Sequence, residues 1–296
     1  MQETVAGKTP AGVRLRPVNW LTVLFIGPFL FYVFAFLVLP SLRLLQQAFS
    51  GEHGFTFKYI AQLGQAQTVT AFVNSIILSS VSALVGLLIG GVLAYLILRP
   101  GAPRGLRSMV TSFSAVAANF AGVPLAFAFI STLGSLGLVT LWLKGLGINL
   151  YAQGFSLYSV TGLIVVYAYF QIPLMIIVIT PAIEGLRGEW REAAENLGAN
   201  QWVYWRHVGL PILLPSLMSA YILLFGNAFS AYATPYALTS GSLALVPVEI
   251  SNVLSGNVML SPQTGAALAL GMIAVMVVIM LFYAIAARRA GRWMRR

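Results

Sequence analysis

The chain has 296 residues, of which 59% are hydrophobic and only 8% are charged. Soluble domains carry about 25% charged residues, so this composition excludes a soluble globular protein. The 17 Lys and Arg residues outnumber the 7 acidic residues. In so apolar a chain this excess predicts loops on the inner face of a membrane rather than nucleic-acid binding. The absence of cysteine excludes disulfides and thiolate metal sites.

Six apolar stretches are long enough to cross a bilayer, which requires about 20 residues. In chain order they are Trp20–Leu39, closed by Pro40, then Ala71–Leu98, Met109–Ile130, Ser159–Ile183, Ile212–Ala231 and Gly265–Ala287. Residues 131–158 are apolar but interrupted by glycine, which predicts a re-entrant or interfacial segment. Gly86 and Gly90 have a spacing that lets two helices approach closely, although glycine is frequent in membrane helices in general. The sequence therefore predicts an all-α polytopic membrane protein with six transmembrane helices.

The basic residues test this topology independently. If both termini are cytoplasmic, the inner segments contain 14 of the 17 Lys and Arg residues, and only Arg43, Lys58 and Lys144 lie outside. Such an excess of basic residues is typical of cytoplasmic loops. We therefore expect a cytoplasmic segment at residues 1–19, a membrane domain at 20–287 and a basic cytoplasmic tail at 288–296, in a bacterial inner membrane.

The longest cytoplasmic connection, residues 184–211, differs from the rest because it contains four of the seven acidic residues. Trp190–Leu197 predicts a short helix with a narrow apolar face, and Gly198 ends it, because glycine readily adopts the left-handed conformation. Gln201–Val208 predicts a second short helix, rich in aromatic residues, which Leu210-Pro211 stops. Such a hairpin suits a socket on another protein. An amphipathic loop lying on lipid headgroups is the other interpretation.

This connection carries a motif with long, fixed spacing. The residues Glu192-Ala193-Ala194, three residues, Gly198, nine residues and Val208-Gly209-Leu210-Pro211 resemble the EAA loop of ABC-importer permeases. The resemblance implies a type I importer permease with six spans, in which this loop docks in a cleft of a separate ATPase. By the same resemblance, Glu192, Ala193, Ala194 and Gly198 form the docking core, and Leu210 and Pro211 orient the loop against the fifth span.

The resemblance also implies a set of partners. These are a dimer of ABC ATPases that binds ATP and Mg²⁺, a second permease subunit that is identical or a paralogue, an extracytoplasmic substrate-binding protein, and membrane lipid. The chain itself is then expected to bind no cofactor, to contact no nucleic acid and to be no enzyme, because ATP hydrolysis belongs to the partner.

The motif variant and one outer segment point to a substrate class. Leu197-Gly198-Ala199 is similar to polyamine, iron, sulfate and phosphonate-type permeases, whereas sugar-type permeases usually have Asp before the glycine. Gly54–Tyr59 and Asn74-Ser75 also resemble spermidine/putrescine permeases. The resemblance thus implies a polyamine-like or aminoalkylphosphonate-like solute. The outer loops contain only two acidic residues, Glu52 and Glu249, so nothing else indicates a cationic substrate.

Polar side chains within or beside the spans can line a solute path or join helices by hydrogen bonds. The candidates for the path are Asn227, Ser230, Tyr232, Tyr221, Asn119 and Gln171, of which the first three lie in or beside the outer half of the fifth span. A stand-alone secondary carrier or channel without an ATPase is the alternative function. The lack of an ionisable residue near any span centre weighs against it. The two histidines lie on opposite faces of the membrane, which excludes a metal pair, and paired catalytic groups for an intramembrane enzyme are missing from the spans.

Overall fold

Most of the chain that the structure describes is α-helical. The computed structural model describes residues 20–51, 54–99, 101–255 and 262–293. Its helices are α1 (Trp20–Val33), α2 (Leu39–Ala48), α3 (Lys58–Ala61), α4 (Ala66–Val85), α5 (Gly91–Leu98), α6 (Arg104–Ala117), α7 (Val123–Leu133), α8 (Leu138–Gly145), α9 (Val160–Glu184), α10 (Gly188–Asn196), α11 (Gln201–Tyr204), α12 (Leu210–Ser230), α13 (Ala233–Thr239), α14 (Val246–Ser255) and α15 (Pro262–Trp293). Ser50–Gly51 and Gly54–Phe55 form a short antiparallel ladder. The chain divides into two units, residues 1–46 and residues 47–296.

Within the described residues, six helical stretches are long and apolar enough to cross a membrane. They are Leu24–Ala48, Ala66–Leu98, Val123–Gly145, Val160–Glu184, Gln201–Ser230 and Pro262–Ala286. This count confirms the predicted fold class, an all-α polytopic membrane protein. The predicted segment 1–19 and the last residues, 294–296, lie outside the described chain. Helix α15 continues to Trp293, so the first part of the predicted tail belongs to the last helix.

The first span does not end at Pro40. After α1 the chain forms a π turn at Phe34–Val38, in which the N–H of Leu39 donates to the carbonyl of Phe34, and α2 then carries the helix on to Ala48. Proline lacks an N–H, and its ring collides with the carbonyl four residues earlier in a regular helix. The wider π turn interrupts the regular hydrogen-bond ladder just before the proline, so the helix continues. The predicted closure at Pro40 is therefore wrong.

Two glycines of the second span bring it into close contact with the fourth. A Cβ atom added to Gly86 would lie 2.9 Å from the Cβ of Gln171, and one added to Gly90 would lie 2.6 Å from the carbonyl oxygen of Ile172. Contacts of this kind leave no room for any side chain. The packing role that the small-residue spacing suggested is therefore present, because α4, the π turn Gly86–Gly90 and α5 all lie against α9.

The predicted third span, Met109–Ile130, is not one helix. Helix α6 ends at Ala117, and α7 begins at Val123 after Gly122. Gly122 has a φ of +75° and donates its N–H to the hydroxyl of Thr234 at 2.8 Å. The predicted limits are wrong because a left-handed glycine, followed by a proline at the second residue of α7, favours a new helix start. The stretch that meets the length and hydropathy criteria is Val123–Gly145, which includes α8 from the segment predicted to be non-spanning.

The buried core of residues 47–296 is centred on α9. The side chains of α9 pack against α4, α6 and α12. The largest fully buried side chains of this core, from several elements, are Tyr167, Phe225, Phe229, Leu78, Leu125, Leu157, Leu163, Met175, Ile179, Leu224, Leu245 and Gln171. Two short helices that the sequence analysis did not predict, α13 and α14, follow the fifth span. The amide of Asn74 donates to the carbonyl of Ala244, and the hydroxyl of Ser75 accepts the N–H of Val246. These bonds hold the segment after the fifth span against the first half of α4.

The hydroxyl of Tyr167 gives a test of this core. Tyr167 is fully buried, and among the described residues its hydroxyl has no hydrogen-bond partner. An unsatisfied buried polar group costs about 1–3 kcal/mol, so Tyr167→Phe is expected to raise the thermal unfolding temperature of the purified protein. The hydroxyl of Tyr151 donates to the carbonyl of Leu133 at 2.9 Å. Tyr151→Phe should therefore lower that temperature. If the unfolding temperature fell by the same amount in both variants, the prediction would be contradicted.

Candidate functional site

The first half of the motif-bearing connection forms helix α10, and Gly198 ends it. Gly198 has a φ of +78°, its N–H donates to the carbonyl of Glu195 at 2.9 Å, and the N–H of Ala199 donates to the carbonyl of Ala194 at 2.9 Å. This pair of bonds is a Schellman turn, which satisfies the last carbonyls of a helix and requires the left-handed conformation at the glycine. The predicted helix break at Gly198 is confirmed.

The second half begins at a side-chain cap and does not stop where predicted. The side-chain oxygen of Asn200 accepts the N–H of Val203 at 2.9 Å, which starts α11. A π turn at Trp205–Gly209 follows, and α12 continues directly to Ser230. The prediction that Leu210-Pro211 ends this helix is wrong for the reason given for Pro40, because a π turn again precedes the proline. We refer to residues 188–209 as the hairpin, and its second arm is one helix with the fifth span.

Aromatic packing fixes the base of the hairpin to the second span. The Trp205 and Tyr95 rings meet edge to face, with centroids 4.9 Å apart. A Cβ atom on Gly209 would lie 2.8 Å from Cε3 of Trp205, so the indole covers this glycine. Tyr204 is buried beside them. The Gly in the Val208-Gly209-Leu210-Pro211 segment is thus required by the position of one indole ring.

One ion pair places two predicted inner loops at the same end of the bundle. Arg107, near the start of α6, forms an ion pair with Glu184 at the end of α9. Within α10, Nε of Arg191 donates to Oε1 of Glu195 at 2.8 Å, and this hydrogen bond raises the pKa of the Arg191 guanidinium. The loop after the second span and the hairpin therefore lie at one end, as the predicted alternation of loops requires. Surface pairs of this kind add little stability.

The hairpin presents a mixed acidic and apolar face to its surroundings. Glu192, Ala193 and Gly198 are exposed, whereas Ala194 is half-buried. Leu197 is 88% exposed and Trp202 is 72% exposed. Leu197 lies outside the candidate spans, and a large apolar side chain so exposed there marks an interaction surface, whereas Trp202 lies at the start of the stretch Gln201–Ser230. The sequence analysis placed Ala193, Ala194 and Leu197 on the narrow apolar face of this helix, but it did not include Leu197 in the docking core.

Three of the predicted path residues lie at the end opposite the hairpin. Asn227 and Ser230 are exposed on the last turn of α12, and the hydroxyl of Ser230 donates to the carbonyl of Gly226. The hydroxyl of Tyr232 accepts a hydrogen bond from Ser251 at 2.8 Å. Asn227 and Ser230 are thus exposed polar groups at the end of α12, and Tyr232 follows just beyond it.

The other three predicted path residues have local or interhelical partners. Gln171 is fully buried, and its amide donates to the carbonyl of Leu224 at 2.9 Å, which links α9 to α12. The hydroxyl of Tyr221 lies 3.5 Å from the carbonyl of Ser80. Asn119 is exposed, and its amide donates to the carbonyl of Ala115 one turn earlier in the chain. Each of these three side chains thus has a backbone carbonyl as its hydrogen-bond partner.

Known proteins that are similar in sequence to this chain are named as permease proteins of transport systems. A region of 197 residues is 25% identical to the "spermidine/putrescine transport system permease protein PotC homolog" of Mycoplasma genitalium, covering 66% of this chain and 63% of that protein. A region of 259 residues is 24% identical to the "sulfate transport system permease protein CysW" of a Synechocystis species, covering 85% and 88% of the two chains. The chain thus spans less than two thirds of the first of these relatives.

Solved structures share the fold. The structure superposes with a TM-score of 0.72 on a chain of a bacterial ABC transporter involved in the import of the acidic polysaccharide alginate, at 21% identity over 92% of this chain and 96% of that one. Residues 86–295 match the family described as "binding-protein-dependent transport system inner membrane component", and this region includes the whole hairpin. The chain therefore belongs to the family of inner membrane components of binding-protein-dependent transport systems.

Proposed function

We propose that this chain is the permease subunit of an ATP-driven importer, in which the hairpin docks on a separate ATPase. The observation that carries this proposal is the exposure of Glu192, Ala193 and Leu197 on the first helix of a helix–glycine–helix hairpin. A large apolar side chain that is so exposed outside the spans is expected where another protein covers it. Family membership agrees with it, and the solved relatives of this fold are described as ABC transporters.

The proposed complex contains two permease subunits, two ATPases and an extracytoplasmic binding protein that delivers the solute. One similar structure is described as an alginate ABC transporter in complex with a substrate-bound periplasmic protein, at a TM-score of 0.71. ATP and Mg²⁺ would bind to the ATPases, and this chain would contribute no catalytic group. Glu192, Ala193, Ala194 and Gly198 would form the docking core, with Leu210 and Pro211 joining it to the fifth span.

The ATPase can change the permease only if it binds the hairpin differently in its two states. The second arm of the hairpin and the fifth span share one helix, Gln201–Ser230. Movement of the hairpin would therefore change the position of Asn227 and Ser230 at the far end. We assign these two residues and Tyr232 to the solute path, where the second permease subunit would face them.

The substrate proposed for this system is a small solute that is polyamine-like or aminoalkylphosphonate-like. Support comes from the Leu197-Gly198-Ala199 variant and from a relative named for spermidine and putrescine. Other relatives are named for sulfate and molybdenum, so the family alone selects no solute. Calorimetry on the cognate binding protein with spermidine, putrescine and 2-aminoethylphosphonate tests this point. Tight binding of sulfate or molybdate in their place would overturn it.

A charge reversal on the hairpin tests the proposed function. The tagged chain is purified from its native membrane, and co-purified ATPase, stimulated ATP hydrolysis and solute uptake are measured. Glu192→Lys is expected to weaken the ATPase association by about tenfold or more, because reversing a charge at an interface removes attraction and adds repulsion. Glu192 is exposed, so folding should not change.

Glu249→Lys is the matched control, since it makes the same substitution in α14, at the end opposite the hairpin. It should leave ATPase association unchanged. If Glu192→Lys keeps wild-type association and uptake, the docking assignment is wrong. A wild-type chain that transports its solute and purifies without any ATPase would instead support a stand-alone carrier or channel.

A further inference from the structure

Two cavities meet at the base of the hairpin. One, of about 260 Å³, lies between the hairpin and the ends of α5 and α9, and the other, of about 790 Å³, is a groove between the second and fifth spans. Both are lined by Tyr95, Ile183, Gln201 and Trp205. The two cavities are therefore adjacent, and the one at the hairpin, which we call the polar part, has charged side chains in its lining, whereas the lining along the spans, the apolar part, has none.

The polar part has an excess of positive charge. Its lining includes Arg99, Arg187 and Arg191, together with Glu184 and Glu195. Glu195 is bonded to Arg191, and Glu184 is bonded to an arginine outside the lining. Within the described chain, Arg99 and Arg187 have no carboxylate partner. The guanidinium of Arg187 lies 5.9 Å above the ring of Trp190, which leaves its N–H groups available.

The apolar part is a groove between the second and fifth spans. Leu88, Val92 and Leu210 line it and are each more than half exposed, and Leu213 and Leu217 form its floor. Its volume lies within the range of about 300–1,000 Å³ that is usual for small-molecule sites. Aromatic residues stand where the two parts join, which is where Trp and Tyr are enriched in membrane proteins, at the level of the headgroups.

We propose that this space binds one anionic phospholipid of the inner leaflet. An acyl chain would fill the groove, and the phosphate would contact Arg99 and Arg187. The charge of the polar part, its position adjacent to the groove and the change from basic to apolar lining all match such a lipid, and basic pockets between spans on the cytoplasmic side bind anionic headgroups. The inference depends on the hairpin being cytoplasmic but not on its docking to an ATPase.

A lipid bound in this space would hold the hairpin in position relative to the second span. The lipid would contact Gln201 and Trp205 in the second arm, and Arg187 and Arg191 in or beside the first. One ligand would thus touch both arms of the hairpin and the second span at the same time. Membranes richer in anionic lipid would then hold the base of the hairpin more firmly.

Lipid retention by the purified complex tests this site. The complex is titrated in detergent, without nucleotide, with phosphatidylglycerol or phosphatidylcholine of identical acyl chains, and bound lipid is counted by native mass spectrometry. Phosphatidylglycerol should bind more tightly. Arg99→Gln combined with Arg187→Gln should weaken phosphatidylglycerol binding by about fivefold for each arginine, and phosphatidylcholine binding by less, because the choline cation offsets the charge of the phosphate that both lipids carry. Arg104→Gln, an exposed arginine outside the lining, is the matched control and should have no effect.

A second pair of variants tests the groove. Leu88→Trp places a large ring where the acyl chain would lie and should reduce binding of phosphatidylglycerol. Leu84→Trp, one turn earlier and also exposed but outside the groove, should not. Equal retention of the two lipids by the wild-type complex would overturn the proposal, whether because the site has no headgroup preference or because a neighbouring subunit fills it. Arginine variants with unchanged preference would overturn it as well. Because no nucleotide is present, these outcomes are independent of ATPase coupling.

Discussion

Replacing Gly198 with proline is expected to reduce solute uptake and binding-protein-stimulated ATP hydrolysis to background. Proline fixes φ near about −65° and has no N–H. Gly198 has a φ of +78° and donates its N–H to Glu195. The Schellman turn therefore cannot form, and the two arms of the hairpin lose their relative orientation. Uptake into proteoliposomes and stimulated ATP hydrolysis are the measurements.

The membrane bundle should not be affected by this change. Gly198 is exposed, and no atom lies within 4 Å of a Cβ built there. Its thermal unfolding temperature should therefore match that of the wild type. Gly188→Pro is the matched control: it is the first residue of α10, where proline is tolerated, and the preceding Arg187 already has the extended conformation that a following proline requires. If both variants transport normally, the hairpin does not couple the subunits. Loss of transport in both would show a general sensitivity of the hairpin to proline.

Replacing Gly90 with alanine is expected to cause the largest loss of stability of any single methyl addition proposed here. The new Cβ would lie 2.6 Å from the carbonyl oxygen of Ile172 and 2.7 Å from the Cβ of Met175. Neither atom is the flexible end of a side chain, so the second and fourth spans must separate. Overpacking of this kind costs about 1–3 kcal/mol and sometimes more. The thermal unfolding temperature should fall by several degrees, and the yield of folded protein in detergent should fall with it.

Gly91→Ala is the control, at the next residue of the same helix. A Cβ there would lie 3.6 Å from the end of the Met175 side chain, which is an ordinary contact. Alanine is favoured over glycine in helices by about 1 kcal/mol, so this variant should be neutral or more stable. The two variants add the same methyl group at adjacent positions and should move the unfolding temperature in opposite directions. Equal effects would contradict the close packing at Gly90.

The sequence predicted those features whose signals are local. Apolar length predicted the six spans, and Gly198 predicted the end of α10, because only a left-handed residue forms the turn that closes it. The spacing of Gly86 and Gly90 indicated a close approach of helices, but it could not identify α9 as the neighbour. The charge pattern indicated that the loop with Arg107 and the hairpin share one end, and the ion pair of Arg107 with Glu184 agrees.

The predicted helix ends were wrong where a neighbouring turn or a distant contact overrides the local effect of a residue. Pro40 and Pro211 were both predicted to stop helices, and both follow a π turn that allows the helix to continue. A π turn has no sequence signature as simple as proline's. The break at Gly122 was missed because its cause is distant in sequence: the hydroxyl of Thr234 accepts the N–H that the break leaves free. Helices α13 and α14 were missed because they are short and pack on other elements.

The continuity of Gln201–Ser230 has a geometrical consequence. A helix of 30 residues is about 45 Å long, since each residue adds about 1.5 Å. If this helix, with its π turn and Pro215, moves as one rigid body that pivots near one end, a tilt of about 5° displaces the other end by about 4 Å, roughly the width of a small polar solute. In the proposed importer, a small movement of the hairpin would therefore be enough to open or close a solute-sized gap beside Asn227 and Ser230.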